Sequence, residues 1–408
     1  IFTSELDDVN DPLDLDHTDR GLWGGLILLG NATTNQPTTD NQIEGIASDP
    51  ALYGGTDDSD SSGELTYVSI RHGGFSISGV PGDEINGLTM GGVGSGTVIE
   101  HVEVYANLDD CYEWFGGTVN TKWLVGAFCG DDTYDYDQGF RGKGQFWFSL
   151  KATDEAGRGG EHDGGDAGGD DATPFSIPMI SNVTYIGSGT TATPGGDGND
   201  RTFAIRDNAG GMYYNSIFTE FPGVAINIED LGAGADSRER FEQGDLVFDG
   251  NIFFDYGGGA TFNDLVSGFA AAGIAAANEL SNPDLGAVCR TAGGCLDPRP
   301  NVGSPAYSGV VAVGDPWFEA TDYRGAFGSM PWIESWTALD ANGYLTRVAT
   351  VPQVIVTDDI TTNTTWTANN EYILDGLVFV DAGATLTIEP GTVIKGLEDF
   401  NISNGDGA

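Results

Sequence analysis

Basic residues are scarce in this chain: 16 Lys and Arg stand against 62 Asp and Glu over 408 residues, a formal charge of −46. That shortage excludes nucleic acid as a partner, because phosphate recognition relies on Lys and Arg that displace counterions. It disfavours an anionic membrane surface for the same reason. Long apolar runs are also missing, and nothing approaches the ~20 residues that cross a bilayer, so no membrane span is expected. Cysteine stops at four with no C-x-x-C, which argues against a zinc ribbon or a thioredoxin-type site. The strings G-x-S-x-G, H-E-x-x-H and the P-loop are absent, so no catalytic template is recognised and no catalytic residue is assigned. The four histidines, His17, His72, His101 and His162, lack ligand spacing. The chain opens on Ile1-Phe-Thr-Ser-Glu5 without a Met, as expected of a mature or trimmed product.

What is abundant is glycine, 63 residues, together with a hydrophobic fraction of 39%. That fraction excludes a disordered chain, and the glycines have no three-residue period, which excludes collagen. Short runs rich in Val, Ile, Tyr, Phe and Thr recur between Gly, Asn and Asp: Leu65–Arg71, Val98–Tyr105, Trp123–Phe128, Gln145–Leu150, Asn182–Ile186, Asn215–Phe218 and Asn251–Phe254. Alternation within them has the period of two that buries one strand face. Val102 to Leu124 is 22 residues and Leu124 to Phe148 is 24. Such a repeat means a solenoid. Leucine-rich repeats would show Leu-x-x-Leu-x-Leu, and propeller blades would be about twice as long. The expected fold is therefore all-β, a right-handed parallel β-helix with Gly/Asp-rich loop insertions that account for the later spacings of 33 and 36 residues. One inserted α-helix is expected near 263–280, capped by Asn263-Asp264. The expected organisation is a body over 1–260, a helical and aromatic-rich insertion over 261–350, and regular coils over 351–408.

A compact object with this charge repels itself unless salt or bound cations relieve it. The densest acidic set is Asp109, Asp110 and Glu113 followed by Asp131, Asp132, Asp135 and Asp137. The two Asp-Asp pairs are 22 residues apart, so they stack at one corner of adjacent coils. Carboxylates ~5–6 Å apart repel severely without a cation, and Ca2+ takes six to eight oxygens in flexible geometry. Ca2+ is the expected cofactor, with a solvated acidic edge as the alternative. Gly195-Gly-Asp-Gly-Asn-Asp200 matches the start of a nonapeptide calcium repeat but occurs once, so it reads as a Gly-rich loop. Asp57-Asp58-x-Asp60 and the stretch from Glu161-His162-Asp163 to Asp170-Asp171 read as surface loops. Cys289 and Cys295 bracket a short loop as a local staple, and Cys111 and Cys129, 18 apart, are within about one coil. An oxidising compartment fits both.

Three functions follow. The first is a structural, calcium-stabilised rod outside the cell or on its surface. The second is a polysaccharide lyase in which Ca2+ neutralises a uronate and Arg141 or Lys143 acts as base, with Arg158 as a further cation. The third is polysaccharide binding through aromatics such as Trp114, Trp123 and Trp147, although ladders of that kind usually fill the core. Asn31-Ala-Thr33, Asn182-Val-Thr184, Asn363-Thr-Thr365 and Asn401-Ile-Ser403 are sequons, meaningful only in a glycosylating host.

Several strings carry a resemblance. They include Gly21-Leu-Trp-Gly-Gly-Leu-Ile-Leu-Leu-Gly30, Gly91-Gly-Val-Gly-Ser-Gly-Thr97, Glu113-Trp-Phe-Gly-Gly117, Gly130-Asp-Asp132, Gly139-Phe-Arg-Gly-Lys-Gly-Gln145, Asp297-Pro-Arg-Pro300 and Asp322-Tyr-Arg-Gly-Ala-Phe327. In these the chain resembles large bacterial secreted or surface β-helix proteins, most of unassigned function. The resemblance implies the fold and says little about activity. In that family a stretch like Thr365-Trp366 through Ile394 comes first, whereas here it comes last. Circular permutation, a piece of a tandem array, or a subunit whose end completes the next would each account for this order. The last makes the chain its own partner, because unpaired strand edges invite addition and a head-to-tail contact that does not close makes a filament.

Overall fold

The computed structural model describes all residues except 13, 40, 44–45, 47–50, 78, 80–84, 197, 233, 347–351, 368–369, 390–391 and 397–408. Two compact units, residues 1–345 and 346–408, make up the chain.

In the first unit the chain passes repeatedly through two parallel sheets. One has seven strands, neighbours in chain order: Leu26–Leu29, Leu88–Gly91, Tyr112–Phe115, Tyr134–Asp137, Gly160–Asp163, Arg201–Arg206 and Val224–Ile228. The other has twelve, among them Glu64–Arg71, Val98–Tyr105 and Asn120–Ala127. Each pass lays its strand beside that of the previous pass, with Tyr112 opposite Tyr134 and Val102 opposite Leu124. The 22-residue spacing in the sequence is thus the pairing register.

Alternation decides what faces inward. Tyr112, Trp114, Tyr134 and Tyr136 point to the core and are fully buried, while Glu113, Asp135 and Asp137 stand on the outer face. Trp114 stacks on Trp147 at 5.1 Å between ring centroids, and Trp147 on Tyr134 at 4.8 Å. Trp114 and Trp147 are therefore core residues and Trp123 is not, so the three do not form one binding ladder. The reason is a left-handed residue in each coil of the second sheet. Tyr67, His101 and Trp123 have φ of 55°, 54° and 54°, which resets the alternation so that two successive side chains point outward. Leu65, Ile99, Val102 and Leu124 on either side belong to the core.

The inserted helix differs from expectation. Helices α1 (Ser237–Gln243), α2 (Phe262–Leu265) and α3 (Ala271–Ala277) are all short. No single helix spans 263–280, because Val266 is extended and bridges in parallel to Ile226, continuing the coil pattern. The cap of α2 is Thr261, boxed with Asp264, not Asn263. Leu265, Val266, Ala271 and Ile274 join the main core, so α2 and α3 plug its end.

Residues 285–345 cover the outside of the second sheet and form a further core with Val125, Phe148, Phe327 and Leu339. Glu103 pins this layer. Its buried carboxylate accepts from Ala338 N at 2.6 Å and from Ser69 Oγ at 2.6 Å, although burial raises its pKa. Cys111 bonds Cys129 and Cys289 bonds Cys295.

In the second unit Gln353–Val356, Glu371–Leu374 and Val393–Gly396 pair in parallel, as do Thr364–Trp366 and Leu386–Ile388. Ile360, Trp366 and Tyr372 form its small core. The Asn401 sequon lies outside the described residues.

Candidate metal centre on the acidic sheet

The outer face of the seven-stranded sheet gathers carboxylates in two rows. Glu113 is opposite Asp135, and Asp135 is level with Glu161 because Tyr136 pairs with His162. Asp137 heads a second row in which Asp163 pairs with Arg206. Beside the start of these strands run the turns that carry Asp109-Asp110 and Asp131-Asp132. The stacking of these pairs is direct: Asp132 N donates to Asp110 Oδ1 at 2.7 Å, and Cys111 N to Asp132 O at 3.0 Å.

Six of the seven acidic residues singled out from sequence meet here, five of them in two trios. One carboxylate oxygen each from Asp109, Asp110 and Asp131 lies within 4.8 Å of the others, and the same holds for Asp110, Glu113 and Asp135. Asp132 is turned aside; its carboxylate takes Arg158 N and pairs with the Arg158 guanidinium at 2.9 Å. Asp137 belongs to neither trio and sits nearer Asp163, Asp166 and Asp207.

Charge balance separates the two halves of the patch. Arg158 bridges Asp132 and Glu161, and Arg206 bridges Glu161 and Asp163, with contacts of 2.7–2.9 Å. In the trios, Lys151 Nζ donates to the Asp131 carbonyl, and the Lys151 charge opposes the upward push of burial and Asp132 on the Asp131 carboxyl. Two buried oxygens, Asp131 Oδ1 and Asp135 Oδ1, have no hydrogen-bond partner among the described residues. The titration behaviour follows. Burial, then the charges of Asp135 and Asp109, holds Asp110 well above the usual carboxylate range. Burial, then Glu113, does the same to Asp135, and burial, then Asp132, pushes Asp131 up to about 8. Burial also lifts Glu161 to about 8 and lowers Lys151 to about 8. Without a bound cation, burial and mutual repulsion favour the protonated carboxyls.

Such a set of hard oxygen donors suits Ca2+, which tolerates irregular geometry and completes its shell with carbonyls and water. Glu161 and Asp163, read from sequence as a surface loop, are instead a strand of this face. The offset from Asp135 to Glu161 is 26 residues rather than 22, which hid the register; the alternation Glu-His-Asp was the signal available. His162 points inward, its Nε2 2.6 Å from Tyr213 Oη, and burial lowers it to about 3. Arg141 and Lys143 stand elsewhere, paired with Asp58 at 3.1 Å and Asp315 at 2.5 Å, and Lys143 opens a strand of the other sheet. In the Gly195–Asp200 loop, Asp197 lies outside the described residues. No helix among the described residues is long and apolar enough to cross a membrane.

No curated protein and no solved structure matches the chain. A family model, the pectate-lyase-like beta helix domain, matches residues 14–265. That span holds the seven-stranded sheet and every carboxylate of the trios, and it exceeds half the chain: this protein belongs to the pectate-lyase-like β-helix domain family.

Proposed function

We propose that the chain is a calcium-stabilised right-handed β-helix scaffold of the extracellular space. The observation that carries this reading is the pair of buried, unpartnered oxygens of Asp131 and Asp135 within two carboxylate trios. A buried charge without a partner is costly, and a divalent cation supplies the partner. The two disulfides fit an oxidising compartment. A scaffold is favoured over a lyase because, among the described residues, no exposed base adjoins the trios: Arg158 and Arg206 are held protonated by carboxylates, and Lys151 is buried. The family and the carboxylates themselves support the polysaccharide-lyase alternative, and release of unsaturated uronides from pectin or alginate would establish it.

Calorimetric titration of chelator-stripped protein tests the calcium reading. Saturable binding of one or two Ca2+ is expected at pH 8. Asp131 holds its proton below about 8, so binding must displace it, and affinity falls by at least about tenfold per pH unit toward pH 6. No heat of binding at millimolar Ca2+ would exclude the reading.

Head-to-tail assembly by coil complementation is a second reading. It draws on apolar side chains exposed in the second unit, Leu377 at 84%, Ile355 at 62% and Phe379 at 60%; apolar exposure marks a contact surface where it forms a contiguous patch. Sedimentation and electron microscopy should find concentration-dependent filaments that Leu377→Asp with Phe379→Asp disperses. Monomers at every concentration would end the idea.

A further inference from the structure

The chain beyond Tyr307 crosses the outer face of the second sheet, where side-chain amides fasten it. Asn215 Nδ2 donates to Val311 O at 2.8 Å, and Asn215 Oδ1 accepts from Val311 N at 2.8 Å. Gln145 repeats the clasp: its Nε2 donates to Glu319 O at 2.8 Å, and its Oε1 accepts from Glu319 N at 2.9 Å. Each clasp engages both backbone groups of one residue, as a neighbouring strand would. Gln145 pairs in register with Ser181, and Ser181 with Tyr214, so the clasps stand two coils apart, about 10 Å along the stack. The residues from Val311 to Glu319 would span about 30 Å if extended. Between its two fastenings the chain must therefore bow off the sheet.

On the coil between the clasps, Asn182 spends its amide elsewhere. Its Nδ2 donates to Thr321 Oγ1 at 3.1 Å and to Tyr323 O at 3.0 Å, and its Oδ1 accepts from Gln145 Nε2 at 3.2 Å. Where that third clasp is missing, a cavity of about 380 Å³ opens between the arch and the sheet. The arch is braced: Asp315 pairs with Lys143 and accepts from Trp317 N at 2.9 Å, and Glu319 pairs with Lys122 at 2.8 Å. Val310, Ala312, Val313, Phe318 and Ala320 wall the cavity, and Asn182 and Asn215 form its floor. Among the described residues that line it, Glu319 alone is charged, and Lys122 already holds that charge.

The geometry points to this cavity as a binding site for an uncharged, mainly apolar small molecule of two or three rings. A cavity of about 150 Å³ holds one benzene, and the volume under the arch is within the range of small-molecule sites. The walls offer aliphatic and phenyl surface, whose burial drives binding. A charged ligand of either sign would leave water and find no free counter-charge, and a strongly polar one would find the amides committed. An anion would also meet the field of a chain with a charge of −46. The site shares no residue with the carboxylate trios and does not depend on calcium there.

Fluorescence titration of the full chain with N-phenyl-1-naphthylamine, an uncharged aromatic probe, tests it. Saturable enhancement at one probe per chain is expected. Binding should be at least about tenfold tighter than for 8-anilino-1-naphthalenesulfonate, which adds a negative charge to the same rings. Ala312→Trp fills the cavity from an exposed position, and Val313→Asp places a charge in it. Each should weaken binding at least about tenfold and leave the melting temperature at the wild-type value, since neither touches the clasps of Gln145 and Asn215. The two variants act by bulk and by charge, so a folding defect in one leaves the other to decide. No saturable enhancement, equal affinity for the sulfonate, or wild-type binding by either folded variant would each overturn the proposal. The titration is run with and without chelator, so loss of the calcium reading leaves it standing.

Discussion

Asp135→Asn is expected to remove the share of the calcium-dependent rise in melting temperature that comes from the Asp110–Glu113–Asp135 trio, about half of it, while raising the melting temperature of the chelated protein at pH 8. In the wild type, ligand at about 100 times Kd stabilises by about 2.7 kcal/mol per site. For a unit of this size two sites correspond to about 8 °C. The opposite effect in chelator follows from the sign of the proton linkage. Burial raises the Asp135 carboxyl above its ordinary range, so between the unfolded value near 4 and its folded value the native state holds a proton that the unfolded chain has released. Stability of the ion-free protein therefore falls as pH rises through that window, and Asp131 and Glu161, both at about 8, deepen the fall. An amide neither ionises nor donates a charge to the ion. At pH 4 variant and wild type should converge. Scanning calorimetry with and without chelator at pH 4, 6 and 8 reads all three outcomes, and a chelated Asp135→Asn less stable than wild type at pH 8 would show that the carboxylate serves the fold and not a cation.

Trp114→Ala should be the most damaging single substitution in the core, costing about 3–5 kcal/mol in chemical unfolding. The indole is fully buried between Tyr112, Phe140 and Trp147, and neighbouring coils fix the rings above and below so that the hole cannot close. Trp114→Phe should cost clearly less. It keeps most of the stack and removes a buried indole N–H that has no acceptor among the described residues, a group whose loss recovers part of the desolvation penalty. Near-identical losses for Ala and Phe would mean that neither the retained stack nor the filled volume carries the stability. Trp123→Ala, on the outer row, gives the control.

The coils were readable from sequence where they are tight. Asp110 and Asp132, Tyr112 and Tyr134, and Val102 and Leu124 all stand 22 apart, and each proves to be a neighbour in space. Legibility failed where the chain does two things at once. Glu161 was hidden because its coil holds four more residues and is embedded in glycine. Ala271–Ala277 does form a helix, but Val266 just before it completes a strand bridge, and no helical pattern announces that. Trp123 is a tryptophan of a short apolar run like Trp114, yet one left-handed φ turns it to the outer face of its own sheet. A period-two reading carries no signal for such a reset, because the residue that makes it is an ordinary aromatic rather than Gly or Asn.

The Cys111–Cys129 bridge has a consequence for ion choice. Cys111 directly follows Asp110, and Cys129 stands two residues before Asp131, with 5.6 Å between their α-carbons. The bond thus clamps together the two turns that bear the first trio, whether or not an ion is present. A donor ring that cannot contract suits a larger cation, while a smaller one such as Mg2+ demands octahedral oxygens at about 2.0–2.1 Å and gives up its water reluctantly. On the proposed calcium reading, the covalent clasp would act as a gauge of ionic radius, set once when the cysteines oxidise.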